Sequence, residues 1–486
     1  MASSLAHHAA RGAFFTFAAQ GARIVLQLLS VVILARLLSP HDYGLLAIAL
    51  VIVGLGEIFR DFGLTSASIQ ATTLSTGQRD NLFWINTGIG VVIAGLTFVL
   101  AWPVATISGE AELFGIVQWL AITFILNGLA TQHRANLMRD LKLRALAVVD
   151  VSSSAIALAA AVVAASLGAG YWALVVQQLV MGLVVLIGVV AAGRWVPKWY
   201  SRRASIRPLL SFGGHLVATG LLQYAGRQID TIAIAIRLGT QPLGLYNRGF
   251  QLIMTPLGQV RSPLQSVALP VLSRVQDDQP RFDNYVVAAQ LALGYLIGIP
   301  LAIAAGLSEP IVGIMLGQRW AETAPLISMF AIAGLLTTVS FVGYWIYLAR
   351  GLGAQLFRYT AVTTVIKIVC IVIGSFFGLI GIAIAFAVHP MIAWPISLVW
   401  LSRVTEIPRR RLYQGAGRII AITLAAGLTA LGIGIATASL PDWAQLAIGL
   451  VGGVAVAAAF LLLPVYRRDM ASLLVFVRLM LKRTTR

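Results

Sequence analysis

Residues 171–192 read YWALVVQQLVMGLVVLIGVVAA, a run without a single Asp, Glu, Lys or Arg. About 20 apolar residues in helical rise cross the hydrocarbon of a bilayer. Backbone that is not hydrogen-bonded within its own segment cannot face lipid, so a run of this length reads as one membrane-spanning helix. Basic residues, Arg194 and Lys198, follow directly where the run ends.

The same pattern repeats on both sides of it. Upstream, apolar runs lie at 13–38, 43–59, 82–107, 113–131 and 145–167. Downstream they lie at 209–236, 243–269, 288–307, 326–349, 359–377 and 380–401, and then at 419–438 and 443–465. The expected fold class is all-α: a polytopic integral membrane protein of about 14 transmembrane helices, built as two six-helix lobes plus two C-terminal helices. The expected divisions are 1–205 for the first lobe, 206–403 for the second, and 404–486 for the last two helices with a basic tail.

Composition agrees. The chain has 486 residues, of which 59% are hydrophobic and 11% charged, and its mean hydropathy is +0.89; soluble domains do not reach such values. A formal charge of +18 raises nucleic acid as a partner, but nucleic-acid binders carry Lys and Arg on solvated polar faces, whereas here they punctuate apolar runs. The lone cysteine, Cys370, lies inside such a run, which excludes an intramolecular disulfide and a cysteine-based metal site. One Arg and two His precede the first apolar stretch with no short apolar core and cleavage site, so the first helix is expected to be retained.

Basic loops set the expected orientation, because cytoplasmic loops retain Lys and Arg. With the N-terminus inside, roughly 27 basic residues fall on the inner side and roughly 3 (Arg36, Arg237, Arg319) on the outer. Both termini are then cytoplasmic. The tail basic residues Arg467, Arg468, Arg478, Lys482 and Arg483 suit anionic headgroups. An internal repeat supports two lobes: Arg36-Leu37 before Gly44-Leu45 recurs as Arg237-Leu238 before Gly244-Leu245, with one residue gapped. Parallel repeats of six helices are transporter architecture, with a site between bundles that each side reaches in turn.

Five basic residues remain inside apolar helices: Arg23, Arg227, Arg248, Arg261 and Lys367. Each costs about 2.5 to 3.5 kcal/mol at a helix centre, so they are expected to face water or partners. One reading is a cationic cavity for a pyrophosphate, which guanidinium groups bind through bidentate hydrogen bonds. The other is snorkelling of Arg23, Arg248 and Arg261 to an interface. The seventh helix is unusually polar, with His215, Gln223, Arg227, Gln228 and Asp230. Arg227 and Asp230, three apart, share a face and form either an internal ion pair or an anion contact beside a titratable group. Glu57, Arg60 and Asp61 form either a gate or a solvated helix end. His389, before Pro390, is a candidate proton carrier or a partner for a broken helical ladder. No HExxH, CxxC, P-loop or Gly-x-Ser-x-Gly motif is present in the sequence, so no metal, organic cofactor or catalytic residue is implied and the chain reads as no enzyme.

Several blocks carry a family resemblance: Arg60-Asp61-Phe62-Gly63-Leu64 followed by Ser68-Ile69-Gln70; Gly226-Arg227-Gln228-Ile229-Asp230; Leu243-Gly244-Leu245-Tyr246-Asn247-Arg248; Leu269-Pro270-Val271-Leu272-Ser273-Arg274; and Arg319-Trp320-Ala321-Glu322 with Ala324-Pro325-Leu326. In content and order they resemble the Wzx-type polysaccharide flippases, the colanic-acid exporter branch best, within the multidrug, oligosaccharidyl-lipid and polysaccharide exporter superfamily. The resemblance implies two six-helix lobes around a cationic lumen in the bacterial inner membrane. It also implies movement of an undecaprenyl-pyrophosphate-linked oligosaccharide, a precursor of exopolysaccharide or lipopolysaccharide, from inner to outer leaflet by alternating access. It carries over Arg227 and Asp230 alone; Arg23 and Lys367 rest on the intramembrane-charge argument. Expected partners are the lipid-linked oligosaccharide, the bilayer, a coupling ion (H+ or Na+), and polysaccharide polymerase and glycosyltransferases. The alternatives are an ion-coupled drug antiporter, which the basic residues disfavour, and a membrane polymerase or ligase. For the latter the longest outer segment, 308–325, offers thin material.

Overall fold

A computed structural model of the chain describes residues 2–61, 74–201 and 213–470. Fourteen long helices stand where the sequence places apolar runs: α1 (Ala2–Leu37), α2 (Pro40–Asp61), α3 (Thr76–Ser108), α4 (Glu112–Arg139), α5 (Leu143–Ser166), α6 (Trp172–Gly193), α7 (Gly213–Arg237), α8 (Thr240–Arg274), α9 (Gln279–Gly306), α11 (Ala324–Ala349), α12 (Gly353–Ser375), α13 (Gly378–Val404), α14 (Arg409–Ala436) and α15 (Asp442–Ala459). Twelve have the length and hydropathy of a membrane span; α7 and α8 have the length but are too polar for that criterion. The protein is a multi-pass helical membrane protein.

The helices run past the apolar windows because polar residues end a hydropathy signal without ending a helix. In α4 the predicted run stops at 131, yet the helix continues to Arg139 through Gln132, His133 and Asn136, all buried. The segment 308–325, expected as an outer loop, instead forms a two-turn helix, α10 (Ser308–Met315), and a 3-10 turn (Gln318–Thr323). Eight residues are too few for a spanning signal. Start signals are local: Ser75 and Gln78 form a capping box at α3, and Ser39 and Asp42 exchange bonds of 2.8 and 3.3 Å at the start of α2.

The chain forms two compact units, Met1–Asn247 and Arg248–Arg486, with the boundary inside α8. In the first, α3 packs on α4, α5 on α6 and α1, and α2 meets both α4 and α7. Its interior holds Phe124, Leu137 and Val189. In the second, α9 is central, flanked by α11 and α14, with α13 against α11 and α12, and α15 against α14. Phe282, Trp345, Leu401 and Ile419 lie in its core. Large apolar side chains remain outward, Val99 at 72% and Val451 at 69% exposed among them, a surface that only lipid satisfies.

Candidate functional site

Within the first unit, the charges of α2 are tied inward. Arg60 Nε lies 2.6 Å from Glu57 Oε2, Asn127 of α4 donates to Glu57 Oε1 at 2.8 Å, and Arg60 Nη1 donates to Thr131 at 2.8 Å. Arg60 is 8% exposed and Glu57 28%, so the network is partly buried against α4. Asp61 closes the helix, but its side chain, like that of His215 and the block 62–70, lies outside the described residues.

Arg23 faces a carboxylate: its Nη1 is 3.7 Å from Asp150 Oδ2 of α5, and the side chain is about half exposed. The same carboxylate takes a bidentate pair from Arg134 of α4, at 2.7 and 2.9 Å. The sequence places Arg134 with the inner-side basic residues and gives no sign of its partner, because Asp150 lies 16 residues away on the next helix.

On α7, Arg227 is exposed and Asp230 is buried. Asp230 Oδ2 accepts the Tyr246 hydroxyl of α8 at 2.8 Å; no Arg227–Asp230 ion pair forms among the described residues. The Tyr224 hydroxyl donates to the Val51 carbonyl at 2.8 Å, pinning α7 to α2.

The repeat legible around Gly44 and Gly244 becomes a reciprocal contact. A Cβ on Gly44 would fall on the Thr240 carbonyl oxygen, and one on Gly244 on the Pro40 carbonyl oxygen. The starts of α2 and α8 therefore touch backbone to backbone, which only glycine permits. Beside them Thr240 Oγ1 donates to Glu110 at 2.7 Å and lies 2.8 Å from His41 Nδ1. A hydroxyl has one proton to give, so the ring presents Nδ1–H to it. Nothing local in the sequence signals this chain, whose members are 199 and 130 residues apart.

In the second unit, Arg248 is buried and donates to Gln251 at 3.0 Å. Arg261 Nη2 donates to the Thr338 hydroxyl at 2.7 Å and the Gly334 carbonyl at 3.1 Å, with its guanidinium 5.4 Å from the Phe341 ring centre. The Lys367 ammonium stands 5.1 Å from the ring centre of Phe386, which packs edge-on with Phe250 and Phe330. His389 Nε2 is 3.1 Å from the Thr363 carbonyl, so the ring partners a backbone carbonyl of the neighbouring helix. One helical turn separates Thr363 from Lys367 on α12, and one separates Phe386 from His389 on α13, which makes Lys367 and His389 neighbours.

An all-α membrane fold with two polar helices among apolar ones, and with Arg60 of α2 and Arg248 of α8 buried, defines a polytopic protein of the transporter type. The solved structures it resembles agree in fold: the lipid II flippase MurJ in an inward closed conformation (TM-score 0.72, 14% identity, 95% of this chain and 99% of that one) and an inward-facing multidrug resistance MATE family transporter of the MOP superfamily (TM-score 0.62, 13% identity, 81% and 96%). Residues 33–325 match the family described as polysaccharide biosynthesis protein, and the chain belongs to that family. Its relatives include the lipopolysaccharide biosynthesis protein WzxC of Escherichia coli (strain K12), 25% identical over 75% of this chain and 74% of the relative. Another is the succinoglycan biosynthesis transport protein ExoT of Rhizobium meliloti (strain 1021), 26% identical over 73% and 72%.

Proposed function

We propose that this protein moves a lipid-linked oligosaccharide, carried on undecaprenyl pyrophosphate, from the inner to the outer leaflet of the bacterial inner membrane by alternating access. The observation that carries the reading is the pair α7 and α8: long helices of a multi-pass membrane protein that hold Arg227, Asp230, Arg248 and Arg261 and are more polar than the helices around them. Membership in a polysaccharide biosynthesis family supplies the substrate class.

In this proposal Arg227, Arg248, Arg261 and Lys367 neutralise the pyrophosphate, polar helix faces hydrate the glycan, and the prenyl tail stays in lipid. Arg23 contributes less, because Asp150 already opposes it. Asp230 and His389 are the candidates for ion coupling, and the Glu57–Arg60 network for gating. The two lobes are 1–205 and 206–403, with 404–486 appended and both termini cytoplasmic. Partner polymerases and glycosyltransferases consume and supply the substrate. An outside-positive potential favours outward movement of an anion by about 2.3 kcal/mol per charge per 100 mV.

The test is transbilayer movement of a labelled undecaprenyl-pyrophosphate oligosaccharide in proteoliposomes, comparing wild type with Arg227→Ala and Lys367→Ala. Movement by wild type and its loss in folded variants supports the proposal. No movement under an imposed gradient, with substrate and orientation controls passing, overturns it and turns attention to efflux of organic cations.

A further inference from the structure

At one end of the second unit, two cavities of opposite chemistry are stacked. The first, about 370 Å³, is lined by Asn284 and Leu291 of α9, Arg411, Gln414 and Arg418 of α14, and Arg468. The second, about 210 Å³, is lined by Tyr295, Ile299, Ile422, Val454, Leu461 and Tyr466 and is nearly all apolar. They lie one helical turn apart, since Leu291 and Tyr295 are four apart on α9, as are Arg418 and Ile422 on α14. Arg411, Arg418 and Ile422, spaced seven and four, share one face of α14.

The basic cavity is built and keeps a positive balance. Its single carboxylate, Asp469, is already engaged: it accepts the Tyr295 hydroxyl at 2.7 Å and sits 3.1 Å from Arg418 Nε. The Tyr466 hydroxyl donates to the Arg418 carbonyl at 3.2 Å, fastening segment 464–470 to α14. Arg411 donates to Asn284 at 2.8 Å, which fixes one guanidinium at the rim. Three guanidinium groups in the lining, against Asp469 and with Asp283 beside Arg411 outside it, leave a positive balance that calls for an anion. An apolar slot one turn deeper calls for a hydrocarbon chain attached to it.

We propose that this pair of cavities binds one anionic glycerophospholipid, its phosphate held by Arg411, Arg418 and Arg468 and one acyl chain lying between α9, α14 and α15. The bound lipid cements the C-terminal helices to α9. The site stands independently of the transport proposal.

The test uses the purified full-length protein in neutral detergent and native mass spectrometry, with phosphatidylglycerol, phosphatidylcholine and inorganic phosphate as probes. Arg418 is left intact because it holds Asp469; the head-group variant is Arg411→Gln with Arg468→Gln. The expected result is one phosphatidylglycerol retained per chain over phosphatidylcholine, roughly tenfold weaker or more in the double variant, and no displacement by millimolar phosphate. Ala458→Trp, at an exposed position lining the apolar cavity, weakens phosphatidylglycerol binding with the arginines untouched. Equal retention of both lipids, or no effect of either variant, overturns the site. Displacement by free phosphate makes it a plain phosphate site, and displacement of phosphatidylglycerol by undecaprenyl pyrophosphate assigns it to the transported lipid; each overturns the phospholipid assignment.

Discussion

Arg60 of α2 and Arg261 of α8 are both guanidinium groups held within long helices of a membrane protein, and they are held in opposite ways. Arg60 has a carboxylate at 2.6 Å and a hydroxyl on α4, so its charge is cancelled where it sits. Arg261 is held by a carbonyl, a hydroxyl and a ring, and no carboxylate lies within ion-pair distance among the described residues. Neutral groups orient a guanidinium without cancelling it, so its charge remains available to an anion. Under the proposed function, the contrast separates basic residues that build the fold from those offered to a ligand. Intramembrane location alone, which is all that hydropathy reports, does not separate them.

The largest expected effect tests the first half of the contrast. Arg60→Ala removes the cation opposing Glu57, a carboxylate 28% exposed that keeps its bond from Asn127, and is expected to cost about 2 to 3 kcal/mol of stability, read as a lower unfolding midpoint in detergent by tryptophan fluorescence. Replacing the pair together, Glu57→Gln with Arg60→Met, should recover most of that loss, since apolar or neutral replacements of buried pairs are often tolerated. If the double variant is as unstable as the single, the pair is not the relevant interaction.

Arg261→Gln tests the second half. The shorter amide keeps a donor for Thr338 and Gly334 but removes the charge. Initial transport in proteoliposomes should fall roughly tenfold, about 1.4 kcal/mol, with the unfolding midpoint within about 3 °C of wild type. An unchanged transport rate would move Arg261 to the structural group and break the contrast.

Asp150→Asn gives an intermediate case. It removes the charge that opposes Arg134 and Arg23, but Arg134 is 36% exposed and Arg23 43%, so solvent screening holds the expected loss to about 1 kcal/mol. A loss as large as that of Arg60→Ala would show that exposure is a poor guide to which pairs matter in this fold.

How much of this was open to a reader of the sequence follows from where each signal lies. Twelve of the long helices were legible because each apolar run carries its own evidence, and α7 and α8 from apolar stretches interrupted by polar residues. The eight residues of α10 were not, because a helix that short leaves no spanning signature. Glu57 and Arg60, three apart, could be seen as a pair, but Asn127 and Thr131, which bury them, come from another helix. Arg227 and Asp230 looked equally like a pair, and the difference is Tyr246, which reaches Asp230 from across the α7–α8 turn. Spacing within a helix shows which residues share a face. It does not show which competing partner the neighbouring helix supplies.

The smallest expected effect sharpens the contrast at a helix end, where Thr240 joins His41 and Glu110. Thr240→Val preserves the shape of a side chain that is only 6% exposed while removing the hydroxyl that both neighbours use. Two hydrogen bonds are lost, but His41 and Glu110 are near a chain turn where water can replace them. The net cost should be about 1 kcal/mol, well below that of Arg60→Ala. Gly44→Ala beside it needs no polar group to do harm, because its Cβ would occupy the position of the Thr240 carbonyl oxygen. If Thr240→Val proves as damaging as Gly44→Ala, the hydrogen-bonded chain and not the backbone contact holds the starts of α2 and α8 together. If it is nearly silent while Gly44→Ala abolishes folding or transport, the junction depends on close backbone approach and the polar chain is secondary.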